Sequence, residues 1–279
     1  MEIFTSKSAI TEFIIQLKHE NKTIGFVPTM GALHKGHLSL IEIAAQLTDV
    51  VICSIFVNPT QFTDVKDLEK YPRPIKSDIA LLESAKCNFL FMPEVSDMYT
   101  QGESWNIDLG YLENILEGKF RPGHYQGVTQ IVKKLLDVVG PHLMFMGQKD
   151  FQQVLVLEKM INKLKLPVEV VMCPIVREAN GLALSSRNVH LSTHESEQAG
   201  VLSQVLFQTK ANFPQHDIEM LKQQAWRILN NTEGLIPEYF EICNALTLLP
   251  AQSTDEESIV ALVAARVGKT RLIDNIILK

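Results

Sequence analysis

Apolar positions along this chain follow two rhythms. Five runs are almost continuously apolar, β-branched or aromatic and are punctuated by Pro, Gly or Asn: TIGFVPT (23–29), VVICSIFVN (50–58), NFLFMP (88–93), HLMFMG (142–147) and VEVVMCPIV (168–176). Unbroken apolarity over so few residues predicts strands covered on both faces. Between these runs the apolar residues return every third or fourth position. The clearest case is Val128, Ile131, Val132, Leu135, Leu136 and Val139, which leaves Lys133, Lys134 and Asp137 for solvent, as an amphipathic helix requires. Strands alternating with helices predict an α/β fold whose parallel strands are joined by right-handed crossovers.

After Val176 the texture changes. LSTHESEQAGVLSQVLFQTK sets Ser192 and Glu195 at capping-box spacing and predicts a helix, with a second helix near 217–230. Two strand-like runs, EYFEICNA and SIVALVAARVG, and a short terminal segment complete a smaller α+β unit. The pattern therefore predicts two domains, 1–176 and 177–279.

Composition narrows the function classes. With 279 residues and 46% hydrophobic content, the chain has enough apolar material to remove roughly three quarters of its unfolded-state surface from water. A formal charge of -6 with 26 dispersed basic residues supplies no footprint for nucleic acid or an anionic membrane, so small molecules are the expected partners. No run reaches the roughly 18 apolar residues of a membrane span, and Glu2, Lys7 and Glu12 interrupt the region where a secretory signal needs apolarity. Cys53, Cys87, Cys173 and Cys243 form no C-x-x-C pair, and two of them lie inside apolar runs. The expectation is a soluble cytoplasmic protein with buried, reduced thiols.

In open α/β sheets ligands bind beyond the carboxyl ends of the strands, so the loops closing the five runs are the places to look. PTMGALHKGHLSLI (28–41) sets His34 and His37 between Gly31 and Gly36, ahead of a helix expected from Leu38 whose N–H groups and dipole favour an anion. Either histidine alone reads as structural; together they read as a phosphate contact. NPTQF (58–62) is a turn that leaves Gln61, an amide able to donate and accept, without a structural duty. GKFRPGHYQG (118–127) gathers Lys119, Arg121 and His124 and reads equally as a solvated basic loop or an anion clamp. In GQKDFQQ (147–153), Asp150 and Gln153 have the spacing of a helix cap, whereas Lys149 stands where an ammonium neutralises a polyphosphate. GLALSSRN (181–188) joins Ser185, Ser186 and Arg187, which suit either a turn or a triphosphate. GKT (268–270) is a decoy: Val263 stands where a Walker A loop needs its first glycine, and no G-x-G-x-x-G occurs elsewhere.

The H-x-G-H turn followed by a distal Ser/Arg loop resembles the nucleotidyltransferase superfamily related to class I aminoacyl-tRNA synthetases. The ordered set PTMGALHKGH, FVNPTQF, YPRP, FRPGHYQGV, GQKDFQQ, GLALSSRN and VAARVGKTRLIDN is similar to the pantoate–β-alanine ligase family across nearly the whole chain. The resemblance implies a Rossmann-like N-terminal domain for nucleotide and pantoate, a C-terminal lid domain and a homodimer. It further implies ATP as substrate and Mg²⁺ as cofactor, with pantoate and β-alanine joined through a pantoyl adenylate. Carried onto this sequence, it places ATP on Met30, Gly31, Ala32, Leu33, His34, Lys35, Gly36 and His37, on Gly147, Gln148, Lys149 and Asp150, and on Val176, Leu184, Ser185, Ser186 and Arg187. Gln61 would grip pantoate and β-alanine, Gln153 pantoate, and His37, His34, Lys149 and Arg121 would serve the chemistry, His37 as proton donor. Two departures stand out. Gln148 replaces a family glutamate, and Ser77 replaces one of the family's carboxylates linked to Mg²⁺, leaving Asp78 as the metal candidate. A nucleotidyltransferase that stops at a stable nucleotide conjugate is the alternative within enzymes.

Overall fold

The computed structural model describes residues 1–213 and 215–279. Two compact units divide the chain: Met1–Gly147 with Gln152–Pro174, and Gln148–Phe151 with Ile175–Lys279.

The first unit is a six-stranded sheet built from β1 (Glu2–Phe4), β2 (Ile24–Thr29), β3 (Val50–Ile55), β4 (Phe89–Phe91), β5 (Leu143–Gly147) and β6 (Glu169–Cys173). Their order is β1-β4-β3-β2-β5-β6, and every pairing is parallel. All five apolar runs are strands. The interior ones are almost continuously apolar because both faces are covered: Ile24, Phe26 and Val27 of β2 and every residue of β3, Ser54 included, are buried. The edge strand β1 escapes the sequence pattern, since three residues with only Phe4 buried carry no readable period. Strand order reverses between β2 and β5, the switch point where such sheets place ligands. The helix expected around Val128–Val139 runs from His124 to Val139 and buries the predicted stripe.

The second unit holds the helices Thr193–Ala199, Val201–Asn212 and Ile218–Asn230 against an antiparallel sheet of β7 (Leu235–Asn244), β8 (Ile259–Val267) and β9 (Thr270–Ile277). The predicted capping box is present: the Glu195 amide donates to Ser192 Oγ at 3.2 Å, and the Ser192 amide donates to Glu195 Oε2 at 2.8 Å. Leu202, Leu206, Leu229, Phe240 and Val263 form the core of this unit. The GKT decoy is the β8–β9 hairpin turn, where Gly268 takes a left-handed φ of +55°.

Beyond moving the cut from 176 to 174, the division assigns Gln148–Phe151 to the later unit. The cause is a buried side chain of β9, Asn275, whose amide bonds the Gln148 and Lys149 carbonyls.

All four cysteines are free and buried, and burial pushes the Cys87 and Cys173 thiols up to about 11 and Cys243 to about 12. They are protonated, inert core residues at neutral pH. Among the described residues, no helix is long and apolar enough to cross a membrane.

Candidate active site

In the first unit the site grows from the turn after β2. Gly31 and Ala32 both take left-handed backbone, φ +79° and +50°, a conformation that an alanine adopts at a cost of about 1–2 kcal/mol. Asp78, on the helix Ile75–Ser84 and fully buried, holds that shape. Its Oδ2 accepts the Ala32 amide at 2.9 Å and its Oδ1 the Leu33 amide at 2.8 Å. Gly31 is required on two counts, since a β-carbon there would also stand 3.0 Å from both Asp78 Oδ2 and Ile55 Cγ2. Its own amide donates to Thr29 Oγ1 at 3.1 Å.

One expectation changes here. The following helix starts at Lys35, not Leu38, because the histidines themselves cap it: the Gly36 amide donates to His34 Nδ1 at 3.2 Å and the His34 amide donates to His37 Nδ1 at 3.3 Å. Asp78, with both carboxylate oxygens engaged by backbone amides, braces the turn.

The imidazole caps have a chemical consequence. A ring nitrogen that accepts an amide proton carries none of its own, so each neutral ring holds its proton on Nε2. The rings lie 4.0 Å apart between centroids. The pair thus connects the positive end of the helix to two N–H donors that extend beyond the backbone.

Gln61 belongs to the same unit and ends a short 3₁₀ turn, Pro59–Gln61. Its amide is oriented: Asn58 Nδ2 donates to Gln61 Oε1 at 3.0 Å, and Gln61 Nε2 lies 3.1 Å from Met30 Sδ. Asn58 is buried and in turn donates to the Gly127 carbonyl and accepts from Tyr99 Oη at 2.6 Å. The His124 ring donates through Nδ1 to the Gln61 carbonyl at 2.8 Å. Gly127 permits this approach, since a β-carbon there would fall 2.3 Å from the Thr60 carbonyl oxygen. Arg121 follows the helix Leu116–Phe120 and is partly exposed. Gln153 is half-buried on the helix Phe151–Leu164, and its neighbour Gln152 is buried by bonds to the Glu117 amide and the Leu112 and Ile115 carbonyls.

The remaining predicted residues, apart from Gly147 at the end of β5, lie in the second unit. Gln148–Asp150 form a 3₁₀ turn in which Lys149 Nζ stands 3.3 Å from Asp150 Oδ1. Val176 and Leu184 pair across a tight loop through the Leu184 amide and Val176 carbonyl at 3.0 Å. Ser185 then caps the 3₁₀ turn Ser186–His190 by accepting the Arg187 amide at 3.3 Å. Both segments meet β9. Asn275 holds Gln148 and Lys149, while Asp274 makes a two-pronged ion pair with Arg177, at 2.5 and 2.9 Å, and Arg177 donates to the Gly181 carbonyl at 3.0 Å. Burial pushes the Asp274 carboxyl up, and the guanidinium pulls it back.

The family model for pantoate-beta-alanine ligase matches residues 2–277. The chain belongs to the pantoate–β-alanine ligase family. Among relatives, the pantothenate synthetase of Porphyromonas gingivalis is 44% identical over 277 residues, covering 99% of each chain. That of Thermotoga petrophila is 44% identical over 280 residues, covering 100% of each. The solved pantothenate synthetase of Thermus thermophilus superposes with a TM-score of 0.94 at 37% identity, covering 100% of this chain and 99% of the other. A pantoate-beta-alanine ligase of Francisella tularensis, complexed with beta-gamma ATP and beta-alanine, superposes with a TM-score of 0.82 at 34% identity, covering 100% and 98%.

Within this ligase family, the sequence places the histidine turn but not its supports. Asn58 reads there only as a turn residue, and Asp274 and Asn275 enter only as part of a quoted motif. No local spacing could single out Asp274 and Asn275, which act on residues far along the chain, and Asn58 orients the nearby Gln61 while itself held by the distant Gly127 and Tyr99.

Proposed function

We propose that this chain condenses (R)-pantoate with β-alanine using ATP, through pantoyl adenylate, releasing pyrophosphate and AMP. The observation that carries the reading is the doubly capped histidine turn set in a chain matched by the ligase family almost end to end. In the first step a pantoate carboxylate oxygen bonds to the α-phosphorus and the bond to the β-phosphate bridge breaks. Two anions must meet, so the site has to offset their repulsion. His34 and His37 offer Nε2–H donors to phosphate oxygens, with His37 as the proton donor. Lys149 and Arg187 supply fixed positive charge, and Met30–His37, Gly147–Asp150, Val176 and Leu184–Arg187 line the nucleotide. Gln61 and Gln153 hold pantoate, with Arg121 near the reacting groups; the oriented amide of Gln61 supports its part. In the second step the amine of β-alanine bonds to the acyl carbon, AMP leaves, and the nitrogen loses a proton.

Mg²⁺ fits this site only as a partner of ATP. Among the described residues no three His, Cys, Asp or Glu gather to hold a metal, and both oxygens of Asp78 serve the backbone. The ion would be bound by phosphate oxygens and water. A cytoplasmic homodimer is the setting we propose for the enzyme.

The test follows pyrophosphate and AMP separately. Purified protein with ATP, Mg²⁺ and pantoate is expected to release pyrophosphate, and AMP is expected only once β-alanine is added. AMP release that ignores the amine, or no pyrophosphate at all, would overturn the reading.

A further inference from the structure

Lys149 owes its backbone conformation to a residue over a hundred positions away. Asn275 is 1% exposed, and its amide is fully committed: Nδ2 donates to the Gln148 carbonyl at 2.9 Å and to the Lys149 carbonyl at 3.0 Å, while Oδ1 accepts Gln148 Nε2 at 3.0 Å. The two carbonyls belong to the peptide planes on either side of Lys149 Cα. Fixing both planes fixes φ and ψ of that residue and hence the direction in which its side chain departs. The amide admits one orientation, since turning it over would aim its oxygen at two carbonyl oxygens. The adjacent Asp274 binds Arg177, and Asp274 Oδ1 accepts the Asn275 amide at 2.8 Å, so the strand presents the asparagine from a rigid base.

We propose that Asn275 is a positioning residue for Lys149, holding the peptide planes that aim the ammonium used in adenylation. The inference rests on the assignment of Lys149 to the pyrophosphate-forming step. One feature separates it from a general anchoring role: the bonds fall on the two carbonyls bordering one functional residue.

Asn275→Asp keeps the shape but replaces the double donor with an acceptor, so it is the informative variant. Pyrophosphate formation from ATP, Mg²⁺ and pantoate is measured for the full chain, with kcat and KM for ATP resolved and thermal melting recorded. Asn275→Asp is expected to lower kcat about 10-fold or more with KM for ATP changed less than about 3-fold, because misaimed charge is lost mainly from the transition state. Lys149→Ala combined with Asn275→Asp is expected to be no slower than Lys149→Ala alone, as for residues acting through one another. Asn275→Ser, which keeps one donor in a smaller side chain, supplies the same readings should the aspartate variant fail to melt cooperatively. A folded Asn275 variant with parental kcat, or one that slows the Lys149→Ala background by its full factor, overturns the inference. If Lys149→Ala itself forms pyrophosphate normally, the assignment of Lys149 has failed and this proposal falls with it. Loss in Lys149→Ala beside normal turnover in Asn275→Asp sinks the proposal alone.

Discussion

Two strand-to-helix turns bear the candidate nucleotide contacts, and they are built in opposite ways. The turn after β2 makes its own caps: His34 and His37 accept amides within three residues of themselves, and one outside carboxylate, Asp78, braces the residues just before. The turn after β5 is held from the far end of the chain, by Asn275. The first keeps its form wherever its own short sequence and one helix are intact. The second exists only when the C-terminal sheet has formed. Local caps and distant clamps fix backbone equally well, but they fail under different substitutions.

The largest expected effect tests the self-capped turn. His37→Gln retains an acceptor at the position where glutamine completes a capping box, yet removes the imidazole donor. It should melt within a few degrees of the parent and form pyrophosphate about 100-fold more slowly, whereas His37→Ala should lose stability as well. A glutamine variant with normal pyrophosphate release would reduce His37 to a helix cap.

Next is the outside brace. Asp78→Asn turns one acceptor into a donor facing the Ala32 or Leu33 amide and removes the charge from the other bond. A loss of about 2 kcal/mol in denaturant unfolding is expected, with activity falling about 10-fold because the histidines depend on the braced turn. Unchanged unfolding would show that the caps suffice without the carboxylate.

A smaller effect probes Gln61, whose amide is set by Asn58 and by the close approach of Gly127 to Thr60. Gly127→Ala forces the helix and the 3₁₀ turn apart and should destabilise by about 1–3 kcal/mol. We expect KM for pantoate to rise with kcat for the first step less affected; the reverse split would separate Gln61 from pantoate binding.

The smallest expected effect lies away from both turns. The Thr23 amide and hydroxyl donate to Asp49 at 2.8 and 2.7 Å and hold its carboxyl below the usual carboxylate value. A lowered folded value contributes stability above the unfolded pKa, which is lost as pH falls through the folded one. Asp49→Asn should therefore be slightly less stable at neutral pH and converge on the parent in acid, with adenylation unchanged at any pH where both fold. A gap that persists in acid would assign the effect to packing.

Legibility in the sequence tracks the same contrast. The five apolar strands are readable because burial on both faces leaves an unbroken run, and Ser192 with Glu195 announces a helix from four residues. The histidine turn is readable because its glycines and imidazoles are contiguous. Its exact helix start is not, since histidine lies outside the usual capping residues and only the geometry shows that it serves as one. The duties of Asp78 and Asn275 are unreadable for a different reason: each acts across a fold-dependent distance, and a polar residue does not say whom it will meet. The transfer of Gln148–Phe151 to the second unit follows from the same hidden contact.

Ala32 adopts a backbone that an L-residue avoids when left to itself, and two amides beside it are already tied to Asp78. A loop so constrained is a mould cast before anything is poured into it. A nucleotide bound there, as proposed, need not wait for a rare conformer, so its apparent affinity would not be diluted by the fraction of molecules in the wrong shape.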